Sequence, residues 1–461
     1  MGVKTLWPVL QEAVDCKNVP IESLQGKRVA VDLSSWIVEF QKVKAPGASI
    51  PKNIYIRSLY YRTTELLGYG VKLIFVADGK APDMKTAVLK KRREAQYGEQ
   101  AGASVDTGRH QFSLMAAKCK ELLTYLGLPF LYSDGEAEAL CAALNAQGVV
   151  DAVMTSDVDA FLYGAKTVYR DYRIESGEHV VDVYTMEKIE EKLGLDRRSM
   201  VVTALLVGCD MSDIGVEGVG IKKALSLIDH LKKRGTDPLD RLIGWRNNDE
   251  LDITKNCKGK GEKSLWLKEH KLELNIRAKA MANESFPNQE VIDEYIKGHR
   301  QLESPPSTFK PIDISGVKIF MTNYFPSTNS KLGEFYSNFA SVLVQLQLHD
   351  MNEFLTPATT LKPLRITHNR IRHGKPNLEV QWSKLDEDRE TKGDFYSVLS
   401  KTDTFKKKFP DMAATFSQEI EDKKHGKKAS VKRKSEQLEG KSTNPTLKSF
   451  FPIKKKAVDN N

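Results

Sequence analysis

Short apolar runs of strand length alternate with helical patterns over residues 1–210, and this alternation restricts the fold more than any other feature of the sequence. The runs occupy residues 27–35, 71–80, 126–135 and 149–157, with a further strand predicted at 167–172. Strands that alternate with helices in this way form a parallel sheet with crossover helices. We therefore predict an α/β fold built on a parallel sheet.

A carboxylate directly follows three of the predicted strands. Asp32, Asp78 and Asp157 each stand at the end of an apolar run. The carboxyl ends of parallel strands meet at one edge of a sheet, and ligands bind in the crevice there. The sequence therefore predicts that these three side chains converge.

Two glutamates are expected at the same edge. Glu136 and Glu138 lie in the first turn of a helix for which Ser133 or Asp134 is the predicted N-cap. Their i, i+2 spacing does not place both on one helix face. Both reach one site only if the side chains are long and the first turn is frayed.

Asp159 and Asp210, which precedes a glycine-rich turn, complete a predicted set of seven carboxylates. Seven acids in one cleft cannot all stay ionised unless cations neutralise them. Oxygen ligands favour Mg²⁺, with Mn²⁺ as a substitute, over zinc, and two such ions roughly 4 Å apart commonly serve phosphodiester hydrolysis. We predict a two-metal site, although any single one of these acids is equally well explained as a helix cap or turn former.

Basic residues are placed where a phosphate group would approach these acids. Lys85 and Arg92 lie two turns apart on one face of a predicted helix that begins beside Asp78, and we expect them to hold the scissile phosphate. The glycine turn at 215–220 would aim backbone N–H groups at a second phosphate. Its predicted DNA-binding residues are Gly218, Gly220, Lys222 and Lys223.

The net charge of +9 resides in the C-terminal tail. Residues 423–461 carry 12 Lys or Arg and 3 Asp or Glu, which leaves 58 of each in residues 1–422. The chain has no apolar run of the roughly 18 residues that a membrane span needs, and its five scattered cysteines lack the spacing of a zinc site or disulfide framework. We expect a reduced, intracellular protein without a membrane partner. The basic cluster at 423–434, in a tail predicted to be disordered, indicates nuclear import or attraction to DNA.

The sequence resembles the XPG/flap-endonuclease superfamily of structure-specific 5′-nucleases. The matching stretches are MGVKTLW at the N-terminus, VAVDLSSW (29–36), FVADGKAPDMK (75–85), GEAEALCAALN (135–145), TSDVDAFLYGAKTVYR (155–170) and LLVGCDMSDIGVEGVGIKKA (205–224). The resemblance implies that the seven acids are metal ligands, that Lys85 and Arg92 contact the scissile phosphate, and that Gly2 lies near the active site. It also implies a PIN-like nuclease core over residues 1–209 with a helical arch.

Residues 210–350 resemble the helix-two-turn-helix and helical DNA-binding region of the same superfamily. The resemblance implies contact with the non-cleaved duplex strand and a K⁺ ion held by carbonyls of the turn. Family members usually have Tyr after the last Asp of this motif, whereas this chain has Met211. That departure leaves the predicted ligands intact but changes the packing beside Asp210.

Within the superfamily the sequence is most similar to the GEN-type Holliday junction resolvases, through LSSW (33–36), GAKTVYRDY (164–172) and DIGVEGVG (213–220). That branch implies a chromodomain-like module after the core, and residues 361–420 are similar to one, with a predicted hairpin turning at 373–375. Trp382 is the one candidate for a methyl-lysine cage, but it alternates with Leu378 and Val380 as a core residue would. We therefore expect DNA contact or a structural role.

The tail at 421–461 contains NPTLKSFF (444–451), which resembles the peptide that binds the sliding clamp PCNA. Leu447, Phe450 and Phe451 match its docking side chains, while Asn444 stands where Gln is usual. Exposed aromatic pairs normally need a partner. The motif pulls towards flap processing in replication and repair, and somewhat against the resolvase hypothesis.

The sequence predicts a Mg²⁺-dependent endonuclease that resolves Holliday junctions as a dimer on DNA and also cuts 5′ flaps. One alternative is a monomeric flap endonuclease recruited by the clamp. The other is an inactive DNA-binding adaptor, which would be marked by the loss of one or more carboxylates. All seven are present, so the enzyme is the favoured hypothesis.

Overall fold

The structure is a computed structural model of the 461-residue chain. It describes residues 2–3, 5–41, 53–80, 85–86, 88, 104–212, 215–246, 260–297, 308–324, 329–385 and 394–423. Two bodies of secondary structure are evident in this part of the chain: a large α/β body with attached helices, and a small antiparallel sheet that follows it.

A mixed sheet of seven described strands forms the centre of the α/β body, in the order β1-β7-β6-β5-β2-β3-β4. The strands from β6 to β4 are parallel to one another, whereas β7 and β1 are antiparallel at one edge. The predicted α/β fold is confirmed, and the antiparallel edge is an addition that the sequence analysis did not predict. The strands are β1 (Cys16–Pro20), β2 (Arg28–Asp32), β3 (Lys72–Ala77), β4 (Phe130–Tyr132), β5 (Ala152–Met154), β6 (Thr167–Glu175) and β7 (Glu178–Thr185).

Both faces of this sheet are covered. On the central strand β2, Val29 and Val31 belong to one hydrophobic cluster and Ala30 belongs to the other, as expected from the two-residue repeat of a strand. The helices of this region are α1 (Leu6–Leu10), α2 (Leu33–Gln41), α3 (Ile54–Gly68), α4 (Ser104–Tyr125), α5 (Ala137–Ala146), α6 (Asp159–Leu162), α7 (Met186–Leu193) and α8 (Arg197–Val207).

The region after residue 210 is helical. Its described helices are α9 (Ile221–Lys233), α10 (Pro238–Gly244), α11 (Lys260–Ala280), α12 (Gln289–Lys297), α13 (Ile314–Tyr324) and α14 (Asn329–Leu348). Helices α9, α10 and α12 pack on α8 and extend the core on one face of the sheet, whereas α13 packs on α4 and α14 packs on α3 at the other face. Among the described helices, none has the length and apolar character needed to cross a membrane.

The small sheet is antiparallel, in the order β10-β9-β8, and comprises β8 (Pro363–Arg372), β9 (Lys375–Ser383) and β10 (Phe395–Lys401). The β8–β9 turn has positive φ at His373 and Gly374, which suits a tight two-residue hairpin. Helix α15 (Thr402–Lys408) follows, and residues 410–423 are also helical. The resemblance of 361–420 to a chromodomain stays a prediction.

Trp382 lies at the centre of the core of the small sheet. It is fully buried, and its ring makes edge contacts with Phe405 and Phe409 at centroid distances of 6.1 and 5.8 Å. Leu378 and Val380 are buried beside it. A side chain in this position packs the core and is closed to an external methyl-lysine.

Candidate metal centre at the carboxyl edge of the sheet

Three aspartates lie where neighbouring parallel strands end. Asp32 is the last residue of β2, Asp78 directly follows β3, and Asp157 follows β5 after a short turn. The side chain of Asp32 is fixed at both oxygens, because the Ser35 N–H donates to Oδ1 at 3.0 Å and the Thr155 hydroxyl donates to Oδ2 at 2.8 Å. Asp32 and Asp157 are buried.

The two glutamates reach the same place by an unexpected route. Glu136 is itself the N-cap residue, with an extended backbone (φ −72°, ψ 140°), and α5 begins at Ala137. The predicted cap by Ser133 or Asp134 is therefore wrong. Because Glu136 lies outside the helix and Glu138 lies inside its first turn, the i, i+2 spacing no longer separates their carboxylates.

Asp78 connects these glutamates to the strand ends. Its Oδ1 accepts the N–H of Ala137 at 2.8 Å, so an acid that follows a neighbouring strand satisfies a free donor at the start of α5. The positive end of the helix dipole favours a negative charge at this place. One carboxylate oxygen each from Asp78, Glu136 and Glu138 lies within 4.8 Å of the other two. Three ligand atoms at such distances could hold one metal ion.

The remaining acids meet around the N-terminal segment. The N–H of Gly2 donates to Asp210 Oδ2 at 3.1 Å, and the N–H of Val3 donates to Asp159 Oδ1 at 2.9 Å. A Cβ atom at Gly2 would lie 2.3 Å from Asp157 Oδ1 and 2.2 Å from Asp159 Oδ1. Gly2 also has a φ of +80°, so both space and backbone conformation require glycine at this position.

The pKa values of three acids in this cluster are raised, as expected for acids that bind cations. Burial and the neighbouring Asp78 raise the pKa of Asp32 to about 7. Burial and the neighbouring Asp157 raise the pKa of Asp159 to about 8. Burial also raises the pKa of Glu138 well above its ordinary value, and Glu136 adds to that rise. Like charges that raise one another's pKa in this way show that these acids share one site.

The side chain of Lys85 contributes a positive charge to this cluster. Its ammonium group pairs with Glu136 Oε2. Burial alone would lower the pKa of Lys85, but the Glu138 and Glu136 carboxylates outweigh burial and raise it well above its ordinary range. One ammonium cannot neutralise seven carboxylates.

The donor set fits hard divalent cations. All seven candidate ligands offer carboxylate oxygen, which Mg²⁺ and Mn²⁺ prefer. The thiol of Cys141 lies nearby, and burial raises its pKa well above the ordinary value, so it remains protonated and is a poor ligand. The residues that could hold metal ions are Asp32, Asp78, Glu136, Glu138, Asp157, Asp159 and Asp210.

The predicted DNA-binding turn leads directly into α9. Gly220 is the N-cap of α9, and Gly218 has a φ of +68°. Lys222 and Lys223 are exposed, and the ammonium of Lys223 donates to the Gly218 carbonyl at 2.8 Å. Of the other predicted site residues, Arg92, Leu447, Phe450 and Phe451 lie outside the described residues.

Sequence reasoning missed several residues that hold the acids. Ser35 and Thr155 flank predicted ligands in the sequence, so a search for donors beside each acid would have found them. Tyr295, whose hydroxyl donates to Asp159 Oδ2 at 2.7 Å, gave no such signal because it lies 136 positions away.

A mostly parallel α/β sheet whose carboxyl edge gathers acids with raised pKa values defines a protein built to bind divalent metal ions. The XPG N-terminal domain model matches residues 1–99, and the XPG I-region model matches residues 127–210. The chain is similar to Single-strand DNA endonuclease 1 of Arabidopsis thaliana, with 30% identity over 84% of this chain and 68% of that relative. The chain belongs to the XPG family, as the sequence resemblance predicted.

Two further comparisons place the chain near the GEN branch. It is 32% identical to Flap endonuclease GEN homolog 1 of Mus musculus over 94% of this chain, and it spans about half of that relative, 52%. Its structure is similar to that of human GEN1 in complex with Holliday junction DNA, with a TM-score of 0.72 and 31% identity over 92% of this chain and 100% of the other. This likeness confirms the fold.

Proposed function

We propose that the chain is a Mg²⁺-dependent, structure-specific DNA endonuclease that resolves Holliday junctions by paired symmetric nicks and also cuts 5′ flaps. The observation that carries this proposal is the cluster of carboxylates, several with raised pKa values, at the carboxyl edge of an XPG-family sheet. The mouse relative is named a flap endonuclease, and the structurally similar human protein was solved with Holliday junction DNA. Both support the substrate class.

The seven acids would hold two divalent ions, with Mn²⁺ able to replace Mg²⁺. When bound, such ions would supply activation of a water molecule and stabilisation of the leaving oxygen of a phosphodiester. The chain itself orients the acids: Ser35 and Thr155 fix Asp32, and the N–H of Val3 fixes Asp159.

Lys85 and Arg92 would hold the scissile phosphate and offset its charge in the transition state. Without DNA, Lys85 pairs with Glu136. Substrate binding would therefore exchange the carboxylate partner of the Lys85 ammonium for a phosphate. The exchange keeps the partly buried ammonium paired throughout.

The turn before α9 would contact the uncleaved duplex strand. Exposed Lys222 and Lys223 and the N–H groups at Gly218 and Gly220 suit a backbone phosphate. We also propose a K⁺ ion at carbonyls of this turn. That ion would compete for the Gly218 carbonyl with Lys223, which donates to it at 2.8 Å.

Two copies of the chain would act on one four-way junction, since paired nicks require two sites. The basic cluster at 423–434 would direct the protein to the nucleus. Both proposals come from the sequence resemblance and from the charge of the tail.

A clamp-recruited monomeric flap endonuclease is the second candidate, and the segment NPTLKSFF (444–451) favours it. In this alternative Leu447, Phe450 and Phe451 would dock on PCNA, and junctions would be poor substrates. The inactive adaptor has no feature in its favour because all seven acids are present.

The test is cleavage of end-labelled 5′-flap and four-way-junction DNA in parallel, with Mg²⁺, by the full chain and by Asp157→Asn. Paired symmetric nicks in the junction that disappear in the variant are the expected result. Flap cleavage with an intact junction would favour the clamp-recruited enzyme. Failure to cut either substrate would overturn the nuclease proposal.

A further inference from the structure

Tyr295 reaches the candidate metal centre from the helical region. It lies on α12 (Gln289–Lys297), is fully buried, and donates its hydroxyl to Asp159 Oδ2 at 2.7 Å. A phenol with an ordinary pKa near 10 is protonated at neutral pH and acts as the donor to a carboxylate. The contact therefore links a helix outside the sheet to one of the seven acids.

Asp159 is held from two sides as a result. Its Oδ1 accepts the N–H of Val3 at 2.9 Å and its Oδ2 accepts the Tyr295 hydroxyl. With one donor on each oxygen, the plane of the carboxylate is fixed, and each oxygen keeps a lone pair for a metal ion. Asp159 itself is buried, so water cannot readily replace either donor.

The position of Tyr295 is fixed by its surroundings. The Tyr163 ring packs against the Tyr295 ring at a centroid distance of 5.1 Å. Arg197 donates to the carbonyl of Tyr295 at the end of α12 and, at 2.7 Å, to the carbonyl of Leu162 at the end of α6. Because α6 begins at Asp159, Arg197 connects the helix that contains Asp159 to the helix that contains Tyr295.

We propose that Tyr295 is a positioning residue that sets the metal affinity of the centre by fixing the carboxylate of Asp159. The inference rests on the proposed function and deepens it, because it makes the helical region part of the metal site. Groups that orient metal ligands commonly change metal affinity by about 10- to 100-fold when they are removed. Tyr295 would touch neither DNA nor metal.

The experiment compares Tyr295→Phe with Tyr163→Phe in the full chain. Both substitutions remove one hydroxyl and keep the ring, but the Tyr163 hydroxyl donates to Glu294 Oε1 at 3.4 Å, outside the seven acids. Binding of Mn²⁺ to the DNA-free protein is measured by electron paramagnetic resonance. Melting temperatures in EDTA verify that both variants fold.

The expected result is a Mn²⁺ affinity about 10- to 100-fold weaker in Tyr295→Phe and nearly unchanged in Tyr163→Phe. The Mg²⁺ concentration for half-maximal cleavage should rise by a similar factor, while the KM for DNA stays the same. A purely structural role would lower the melting temperature without this split. Unchanged Mn²⁺ affinity in Tyr295→Phe overturns the inference alone, whereas absence of Mn²⁺ binding by the unmodified chain overturns the metal centre together with it.

Discussion

Two regions of the chain contain partly or fully buried carboxylates, and the pKa values of these carboxylates shift in opposite directions. At the carboxyl edge of the large sheet, burial and neighbouring acids raise the pKa values of Asp32 and Asp159. Where the small sheet meets the body, Lys375 contacts Glu22 and Glu178 at 3.2 and 2.8 Å, and Lys401 also pairs with Glu22. We call this second group the seam cluster.

The pKa of Glu22 makes the difference plain. Burial alone would raise it, but Lys401 and Lys375 outweigh burial and lower it. In the seam cluster, lysines of the same chain supply the counter-charge of the glutamates, so these acids require no metal ion. At the sheet edge Lys85 pairs with Glu136, but the pKa values of Asp32 and Asp159 remain raised, which indicates that metal ions supply the remaining counter-charge. In this molecule, compensation within the chain distinguishes a structural acid from a functional one.

Asp32→Asn is the substitution for which we expect the largest difference between the two regions. We expect cleavage to fall by roughly 10²-fold or more, because the centre loses a ligand held by two donors. The melting temperature in EDTA at pH 8 should rise, since one repelling charge is gone. Gel assays under single-turnover conditions and thermal unfolding measure the two effects. A variant that cleaves normally would remove Asp32 from the functional class.

Lys85→Met tests whether the ammonium at the edge serves the substrate or only its neighbours. We expect the single-turnover rate to fall by about 10²-fold, while Mn²⁺ still binds to the DNA-free protein. Lys222→Met is the matched control, since loss of one backbone contact should weaken DNA binding and reduce its salt dependence by about one unit of slope. If Lys85→Met behaves like Lys222→Met, its role is limited to binding.

The stability of the metal-free protein should depend on pH in a direction set by the edge acids. Their folded pKa values, about 7 for Asp32 and about 8 for Asp159, lie above the ordinary values. Stabilisation by the protonated acids is therefore complete below pH 4 or so and is lost as pH rises through about 7 and 8. The melting temperature in EDTA should fall over that window, and Mg²⁺ should restore it.

The same titration with Mg²⁺ present throughout provides the control for the pH effect. Metal ions favour the ionised acids, so the fall in melting temperature between about pH 4 and 8 should shrink or vanish. A metal-free protein whose stability is flat over this window would show that the acids at the edge are compensated after all.

The smallest effect is expected at the seam cluster. Glu22→Gln should lower the free energy of unfolding by about 0.5–1 kcal/mol, since Glu22 is partly exposed yet contacts two lysines. Cleavage should be unchanged. Lys188→Met, which removes an exposed pair with Glu191 at 2.6 Å, should have no measurable effect on chemical denaturation. A loss of cleavage in Glu22→Gln would show that the seam communicates with the metal centre.

The sequence was sufficient for the parallel part of the sheet and for the placement of Asp32, Asp78 and Asp157 at one edge, because the carboxyl ends of parallel strands meet there. It was insufficient for β1 (Cys16–Pro20), whose residues are exposed or half-buried and show no apolar alternation. The position of Glu136 as N-cap depended on Asp78 occupying the start of α5, a contact between distant segments. The hydrogen bond from the Tyr295 hydroxyl to Asp159 is likewise a contact between distant segments, which no local sequence pattern predicts.

The contacts that hold the metal centre also join parts of the chain that are far apart in sequence. Gly2 meets Asp210 across 208 positions, Val3 meets Asp159 across 156, and Tyr295 meets Asp159 across 136. Closing such long loops costs entropy and slows folding. A growing chain on the ribosome should therefore acquire this arrangement only after α12 has emerged. The candidate metal centre would therefore be completed late in synthesis.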